Sequence, residues 1–298
     1  MKNTVRYFLY AFLSVLLPLW TSCDKDIHEN ESHGLVVGME WLDGIEPTDI
    51  ASPVNLWIYD ADGHEVEAHE FSSPRELASG LFSLPEGDYT LVGVCGLTEP
   101  YRYDYESGTR TADMLRISLA DPSASPAHAV GGVAVASVTD TGVNLRSVIR
   151  VSPLLAELTV RIDGVPEGAE LAVTVRNAAT CLYPARQGDD NSHVVPSAEK
   201  SEAHLPQAVA DGGTLSTGAR LMPTAQGETC TLLYLVMTFA DGSRHEYIAE
   251  APRMLTGKHY ELALEYDRMQ PYMYITAIGI TDWVEGWSTS GDIFNPEI

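Results

Sequence analysis

The residues that could do chemistry are few and scattered. Asp140-Thr141-Gly142 has the form of an aspartic-protease carboxylate motif, but that chemistry needs two carboxylates sharing a proton, and no second Asp-Ser/Thr-Gly occurs in the chain. A turn between strands accounts for the triplet. The histidines form no H-E-x-x-H and no run with cysteine; His64-Glu65 and His69-Glu70 lie on the polar side of a hairpin, and the histidines read as surface residues. Asp60 and Asp62 lack the remaining ligands of a calcium loop, so turn chemistry explains them better. The sequence holds no G-x-S-x-G, no G-x-x-x-x-G-K-S/T and no G-x-G-x-x-G. Neither an enzyme nor a metal or cofactor site is nominated. One side chain is placed for a covalent modification: the thiol of Cys23, directly behind Thr21-Ser22.

What precedes Cys23 gives that thiol its meaning. Lys2 and Arg6 form a basic start, and Tyr7 to Trp20 is an apolar run of 14 residues, short of the roughly 20 that cross a bilayer core. The stretch is therefore a signal peptide, residues 1–22, and Cys23 becomes the first residue of the mature chain. The site resembles that of bacterial lipoproteins, in which a diacylglycerol is placed on the thiol and the new amino terminus is acylated. Trp20 stands where such sites usually have leucine, with Leu19 beside it. Several acyl chains, at about 0.8 kcal/mol per buried methylene, make such attachment effectively permanent.

Residues 23–33 continue as a polar, acidic stretch (Asp24 to His33, DKDIHENESH) without periodicity, which reads as a flexible tether. An acidic run behind a lipidated cysteine also resembles the surface-export signal of Bacteroidales lipoproteins, which implies the outer leaflet. The whole chain has 42 Asp and Glu against 18 Lys and Arg, a formal net charge of −24. Such a surface repels nucleic acid and anionic lipid, so the membrane is met through acyl chains and not through a basic patch.

Behind the tether, short β-prone runs are punctuated by Gly, Pro and Asp, and no stretch keeps a helical period for long. Val54 to Tyr59 is apolar on both faces, and Asp60-Ala61-Asp62-Gly63 turns it into His64 to Phe71. Asp88 to Cys95 is a further strand, followed by strands near Met114–Leu119, Gly132–Val138 and Val148–Val151. Tyr101, Tyr103 and Tyr105 alternate in a polar stretch; they could stack on a sugar, or belong to an edge strand or packed loop. In the second half, Leu154 to Asp163 alternates cleanly, with Ala156, Leu158, Val160 and Ile162 on the inner face. Thr229 to Phe239 and Ser243 to Glu250 flank the turn Ala240-Asp241-Gly242, and Lys258 to Tyr266 and Met273 to Thr281 complete the set. Residues 184–219 read as long loops with short strands. The pattern predicts an all-β chain of two sandwich domains, 34–151 and 152–298.

The halves also echo each other: Tyr59 to Gly63 matches Phe239 to Gly242, and Leu84 to Leu91 resembles Leu255 to Leu262. Cys95 reads as a small core residue. Cys181 and Cys230 could pair, although no framework spacing requires it.

With these pieces placed, the chain resembles the fimbrial anchor proteins of Bacteroidales, in the fimbrillin superfamily that builds type V pili. The resemblance is carried by the site at Cys23, V-N-L-W-I-Y-D-A-D-G, L-P-E-G-D-Y-T-L-V, L-L-A-E-L-T-V-R-I-D-G-V-P and the closing I-T-D-W-V-E-G-W. It implies two tandem transthyretin-like β-sandwiches, no cofactor or small-molecule substrate, and a lipid-anchored body on the outer membrane that fixes a fimbrium and limits its length. The implied partner is a fimbrial stalk subunit, and strand complementation is the natural route for holding it. A tip adhesin of the same superfamily and a surface glycan-binding lipoprotein are the alternatives. Stalk subunits of the superfamily are trimmed by an arginine- or lysine-specific protease early in the first domain. Here no Lys or Arg occurs between Lys25 and Arg75, so the lipid should stay on. Mass spectrometry of native material is expected to find a mature chain starting at acylated Cys23, and Cys23→Ser to release the protein from membranes.

Overall fold

The computed structural model describes residues 34–42, 52–123, 125–139, 145–186, 194–269, 274–275 and 279–282. The signal peptide, Cys23 and its tether, Asp140-Thr141-Gly142, and the tail from Trp283 lie outside the described residues. The chain is nearly all β, as its sequence predicts. Its first half runs β1 (Leu35–Trp41), β2 (Val54–Tyr59), β3 (Glu65–Phe71), α1 (Pro74–Ser79), β4 (Gly87–Cys95), β5 (Tyr101–Tyr105), β6 (Leu115–Leu119), β7 (Val130–Val138) and β8 (Leu145–Pro153).

The central layer here is the antiparallel sheet β3–β2–β4–β7. All six residues of β2 are buried, because this sheet is covered on both faces. Val54, Leu56 and Ile58 face Leu35 and Val37 of β1 and Ile149 and Val151 of β8. Trp57 and Tyr59, with Val92 and Val94 of β4, face Leu115, Ile117 and Leu119 of β6. A strand with apolar side chains on both faces is what two covered faces require, and buried Asn55 is its one polar position.

The covering layer on the first face is a ribbon. β1 pairs with β8 in parallel from Leu35↔Leu145 to Trp41↔Val151, while β8 meets β7 at Val130↔Pro153 and Gly131↔Ser152 alone. The ribbon thus leaves the sheet edge and folds back over its face. Glycines make room for it. A Cβ on Gly93 would lie 2.4 Å from Met39 Cε and 2.8 Å from Ile149 Cδ1, and one on Gly132 would lie 2.0 Å from the Arg150 carbonyl oxygen.

Helix α1 is absent from the sequence reading, yet its signal is present. Ser73 caps it, accepting from the Glu76 amide at 3.2 Å, Pro74 opens it, and the Glu76 carboxylate accepts from the Ser72 amide at 2.7 Å. This is close to a capping box, and Leu77 fastens the turn to the core. The hydrogen bonds from Ser72 hold Glu76 below the usual carboxylate range.

The second half runs β9 (Ala156–Asp163), β10 (Glu170–Ala179), β11 (Cys181–Tyr183), β12 (Val195–Pro196), β13 (Lys200–His204), β14 (Ala208–Val209), β15 (Thr214–Leu221), β16 (Cys230–Thr238), β17 (Arg244–Pro252), β18 (Lys258–Glu265), β19 (Tyr274–Ile275) and β20 (Gly279–Asp282). Sheet β15–β9–β18–β20 packs on sheet β13–β10–β16–β17–β19. Their shared core takes Leu158, Val160, Ile162, Leu262 and Leu264 from one sheet, and Leu171, Val173, Leu233, Leu235 and Met237 from the other. The predicted alternation of β9 is observed residue by residue.

Two features go beyond the sequence reading. Both hairpin turns form, with Gly63 at φ 80° and Gly242 at φ 83°. The second echo fails, however: β4 returns beside β2 in the same sheet, whereas β18 crosses to the opposite sheet and pairs with β9. The repeat that the structure does contain is one of pairing, since the opening strand of each half lies parallel to its last long strand, β1 with β8 and β9 with β18. The other feature is the sheet β12–β11–β6–β5, which takes two strands from each side of residues 151 and 152. Gly132→Val is expected to cost about 3 kcal/mol, because a backbone carbonyl cannot yield as a side chain does; urea unfolding measures it.

Candidate functional site

The structure offers two places where function could sit: the end of the chain behind the tether, and the seam between the halves. At the first, β1 is pinned at both ends. The Leu35 amide donates to the Phe82 carbonyl at 2.8 Å and the Phe82 amide back to Leu35 at 2.9 Å; the Leu145 amide reaches the Gly34 carbonyl at 3.0 Å, and the Leu42 amide reaches Val151 at 3.1 Å. Leu35 and Val37 are buried. The first basic side chain after this strand, Arg75, lies exposed on α1. Cleavage there would detach β1, β2 and β3, and β2 is hydrogen-bonded on both sides.

The tyrosine stripe forms an edge strand, β5, paired with β6, which is one of the readings left open by the sequence. Its rings face the central sheet. The Tyr101 hydroxyl donates to the Ala127 carbonyl at 2.6 Å. Tyr105 donates to Glu65 and lies 3.0 Å from the Tyr59 hydroxyl, while Arg110 Nη1 donates to the other Glu65 oxygen at 2.7 Å. Burial pushes the phenols of Tyr59, Tyr101 and Tyr105 up, so all three stay neutral donors. Tyr103 is partly exposed and meets buried Trp57 edge-on, with centroids 5.1 Å apart at 76°. Most of the stripe is spent on joining two layers.

The seam is the feature that sequence reasoning missed. Cys181, Leu182 and Tyr183, just ahead of the 184–219 stretch and given no element by the sequence, form β11 and add to β6 through Cys181↔Ser118 and Leu182↔Ile117. Arg186 then fastens them. Its guanidinium lies 3.4 Å from the centre of the Tyr183 ring, Nε donates to the Asp113 carbonyl at 2.6 Å, and Nη2 donates to Glu106 at 2.7 Å. That bond holds the Glu106 carboxyl below its ordinary range, and burial, with Cys181 nearby, pushes the Tyr183 phenol up to about 12. A three-residue strand and one arginine carry no sequence signature.

The remaining candidates resolve into structure. Asp60, Asp62 and His64 place ligand atoms within 4.8 Å of one another, yet Asp60 Oδ1 is engaged by the amides of Asp62 at 3.0 Å and His64 at 2.8 Å. This is an Asx-type turn, as its sequence suggests. His69 pairs with Glu67 at 2.7 Å on the exposed hairpin. Cys95, Cys181 and Cys230 are free thiols, so the optional pairing of Cys181 with Cys230 is not made. Among the described residues, no helix is long and apolar enough to cross a membrane.

The fold is shared by solved β-rich proteins of Bacteroidales. The fimbrial anchor protein Mfa2 from Porphyromonas gingivalis superposes with a TM-score of 0.53 at 14% identity, over 84% of this chain and 97% of that one. A candidate adhesin from Bacteroides ovatus gives 0.56 at 12%, over 80% and 93%. A candidate polysaccharide-binding protein from Bacteroides thetaiotaomicron gives 0.56 at 13%, over 84% and 96%. No curated protein matches the chain. A family model matching residues 33–289 makes the protein one of the fimbria-associated, cell-surface class. More narrowly, residues 33–289 match the fimbrillin-A associated anchor proteins Mfa1 and Mfa2, and the chain belongs to that family.

Arg186→Ala is expected to lower stability by about 1–2 kcal/mol, the worth of a stacked, partly exposed guanidinium and its charged hydrogen bonds. Arg186→Lys should recover less than half, since an ammonium keeps the charge and loses the planar stack. Thermal unfolding of the two variants checks both statements.

Proposed function

We propose that the protein is a surface-exposed outer-membrane lipoprotein, acylated at Cys23, that anchors a fimbrium at its base and limits its length. The observation that carries this reading is the uninterrupted path from Cys23 into the fold. Lys25 lies within the tether, and from there to Arg75 no basic residue offers a trypsin-like cut. The whole of β1 and β2 falls inside that interval. The lipid and the strand pinned over the central sheet therefore stay on one polypeptide. Asp24 to His33 can span at most roughly 35 Å, so the body is held close to the membrane.

The two bodies, 34–151 and 152–298, act as transthyretin-like sandwiches braced by the β12–β11–β6–β5 sheet. The stalk subunit is held through main-chain pairing, and the region Met273 to Ile298 takes part as donated strand or as interface. An exposed apolar patch is not required for such a contact, because backbone hydrogen bonds supply it.

Deleting residues 283–298 is expected to leave the lipoprotein at the surface and to release fimbriae into the medium. Immunoblots of cell-bound and shed fimbriae read the result, and unchanged retention would remove the tail from the proposal. In membranes of untreated cells the acylated amino-terminal segment should run on through β1 to β3 into the body; recovery of a native lipopeptide ending between residues 26 and 74 would overturn the anchor reading.

A further inference from the structure

We infer that the parallel β1–β8 ladder is a force-bearing clamp, loaded in shear when the tethered protein is pulled. The inference deepens the anchor reading and rests on it for where load is applied. Traction enters at Gly34 from the tether and draws β1 toward its own amino terminus. It leaves through Ser152-Pro153 into the second half and draws β8 toward its carboxy terminus. Because Leu35 lies opposite Leu145 and Trp41 opposite Val151, the two pulls act at opposite ends of one ladder and along its length. Its hydrogen bonds then share the load and must fail together. An antiparallel partner in the same place would be loaded at one end, and the bonds would open singly.

Side chains reinforce the geometry. Sliding β1 along β8 would drag Leu35 and Val37 out of a core they share with Ile149 and Val151. Met39 would also have to leave its seat over Gly93. The exit of β8 is secured separately, by pairing with Val130 and Gly131 and by the Leu154 amide donating to the Ala129 carbonyl at 2.9 Å. The second half repeats the device with unrelated residues: β9 and β18 are parallel from Glu157↔His259 to Asp163↔Glu265, and load leaving beyond Glu265 shears that ladder too. Finding the same pairing in both halves, where the sequences of the paired strands differ, is the observation that carries the inference.

Single-molecule pulling of the full mature chain tests it. Handles on the tether and the carboxy terminus shear the β1–β8 ladder. Handles on the tether and on position 146, where Arg146 is exposed beside Val36, pull the same ladder open from one end. The rupture force for releasing β1 is expected to be several-fold higher in the first geometry at equal loading rate. If attachment at 146 disturbs the fold, Thr139, which is exposed ahead of the same end of β8, takes the handle instead. Equal forces in the two geometries would overturn the clamp and leave the anchor reading untouched. Recovery of a native lipopeptide ending between residues 26 and 74, with a large force ratio retained, would do the reverse.

Discussion

Everything else in the first half depends on one contact, the close approach of the β1–β8 ribbon to the face of the central sheet. Parallel neighbours need a long crossover, and here the crossover is the entire first half of the chain, since residues 42–144 separate the two strands. The ribbon can lie flat because Gly93 and Gly132 present no side chain where Met39, Ile149 and the Arg150 carbonyl pass. Once it is down, β2 is enclosed on both sides and carries apolar side chains on both faces, with Asn55 the one polar residue. The glycines, the apolar strand and the parallel pairing are therefore one constraint expressed three times.

The halves are not independent beads. A single buried cluster runs from Trp57 and Tyr101 through Leu154 and Leu182 into Leu235 and Leu262, and β11 completes a sheet begun by β5 and β6. At about 25 cal/mol per Å² of apolar area, a continuous core outweighs any surface ion pair along the seam. Arg186 adds orientation to that core, because its planar group fits one ring, one carbonyl and one carboxylate together. A body joined in this way passes load from one half to the other without a hinge of bare chain.

How much of this was legible depended on how local each signal is. The β2–β3 and β16–β17 hairpins are each encoded within one short stretch of sequence, 54–71 and 230–252, by apolar runs around an Asp-Gly turn, and were read correctly. The inner face of β9 was legible for the same reason, alternation being a property of one strand. Pairing partners were not. Nothing in Leu35 to Trp41 says that its neighbour is Leu145 to Val151, and the likeness of Leu84–Leu91 to Leu255–Leu262 reflects a shared turn and strand composition rather than a shared place in a sheet. Short elements fared worst: α1 spans six residues and β11 three, below the length at which periodicity exists. Of the candidate site, the interval free of basic residues was visible at once, but its meaning needed β1 to be located.

The occupied ribbon position also restricts what contacts the protein can make with a neighbour. A strand held on the same polypeptide competes with any incoming segment at an effective concentration in the millimolar range or above, independent of how dilute the partner is. Its exchange requires loss of the paired backbone from Leu35 to Trp41 together with burial of Leu35 and Val37. So long as β1 remains attached, that position is closed, and a partner strand must use another edge. Of the edge strands, β3 reads E-V-E-A-H-E-F, and in a chain of net charge −24 an acidic edge repels copies of the same protein more strongly than it repels a neutral or basic strand. A closed first position and an acidic β3 edge together oppose a filament of its own kind, which is the asymmetry the proposed anchor role needs.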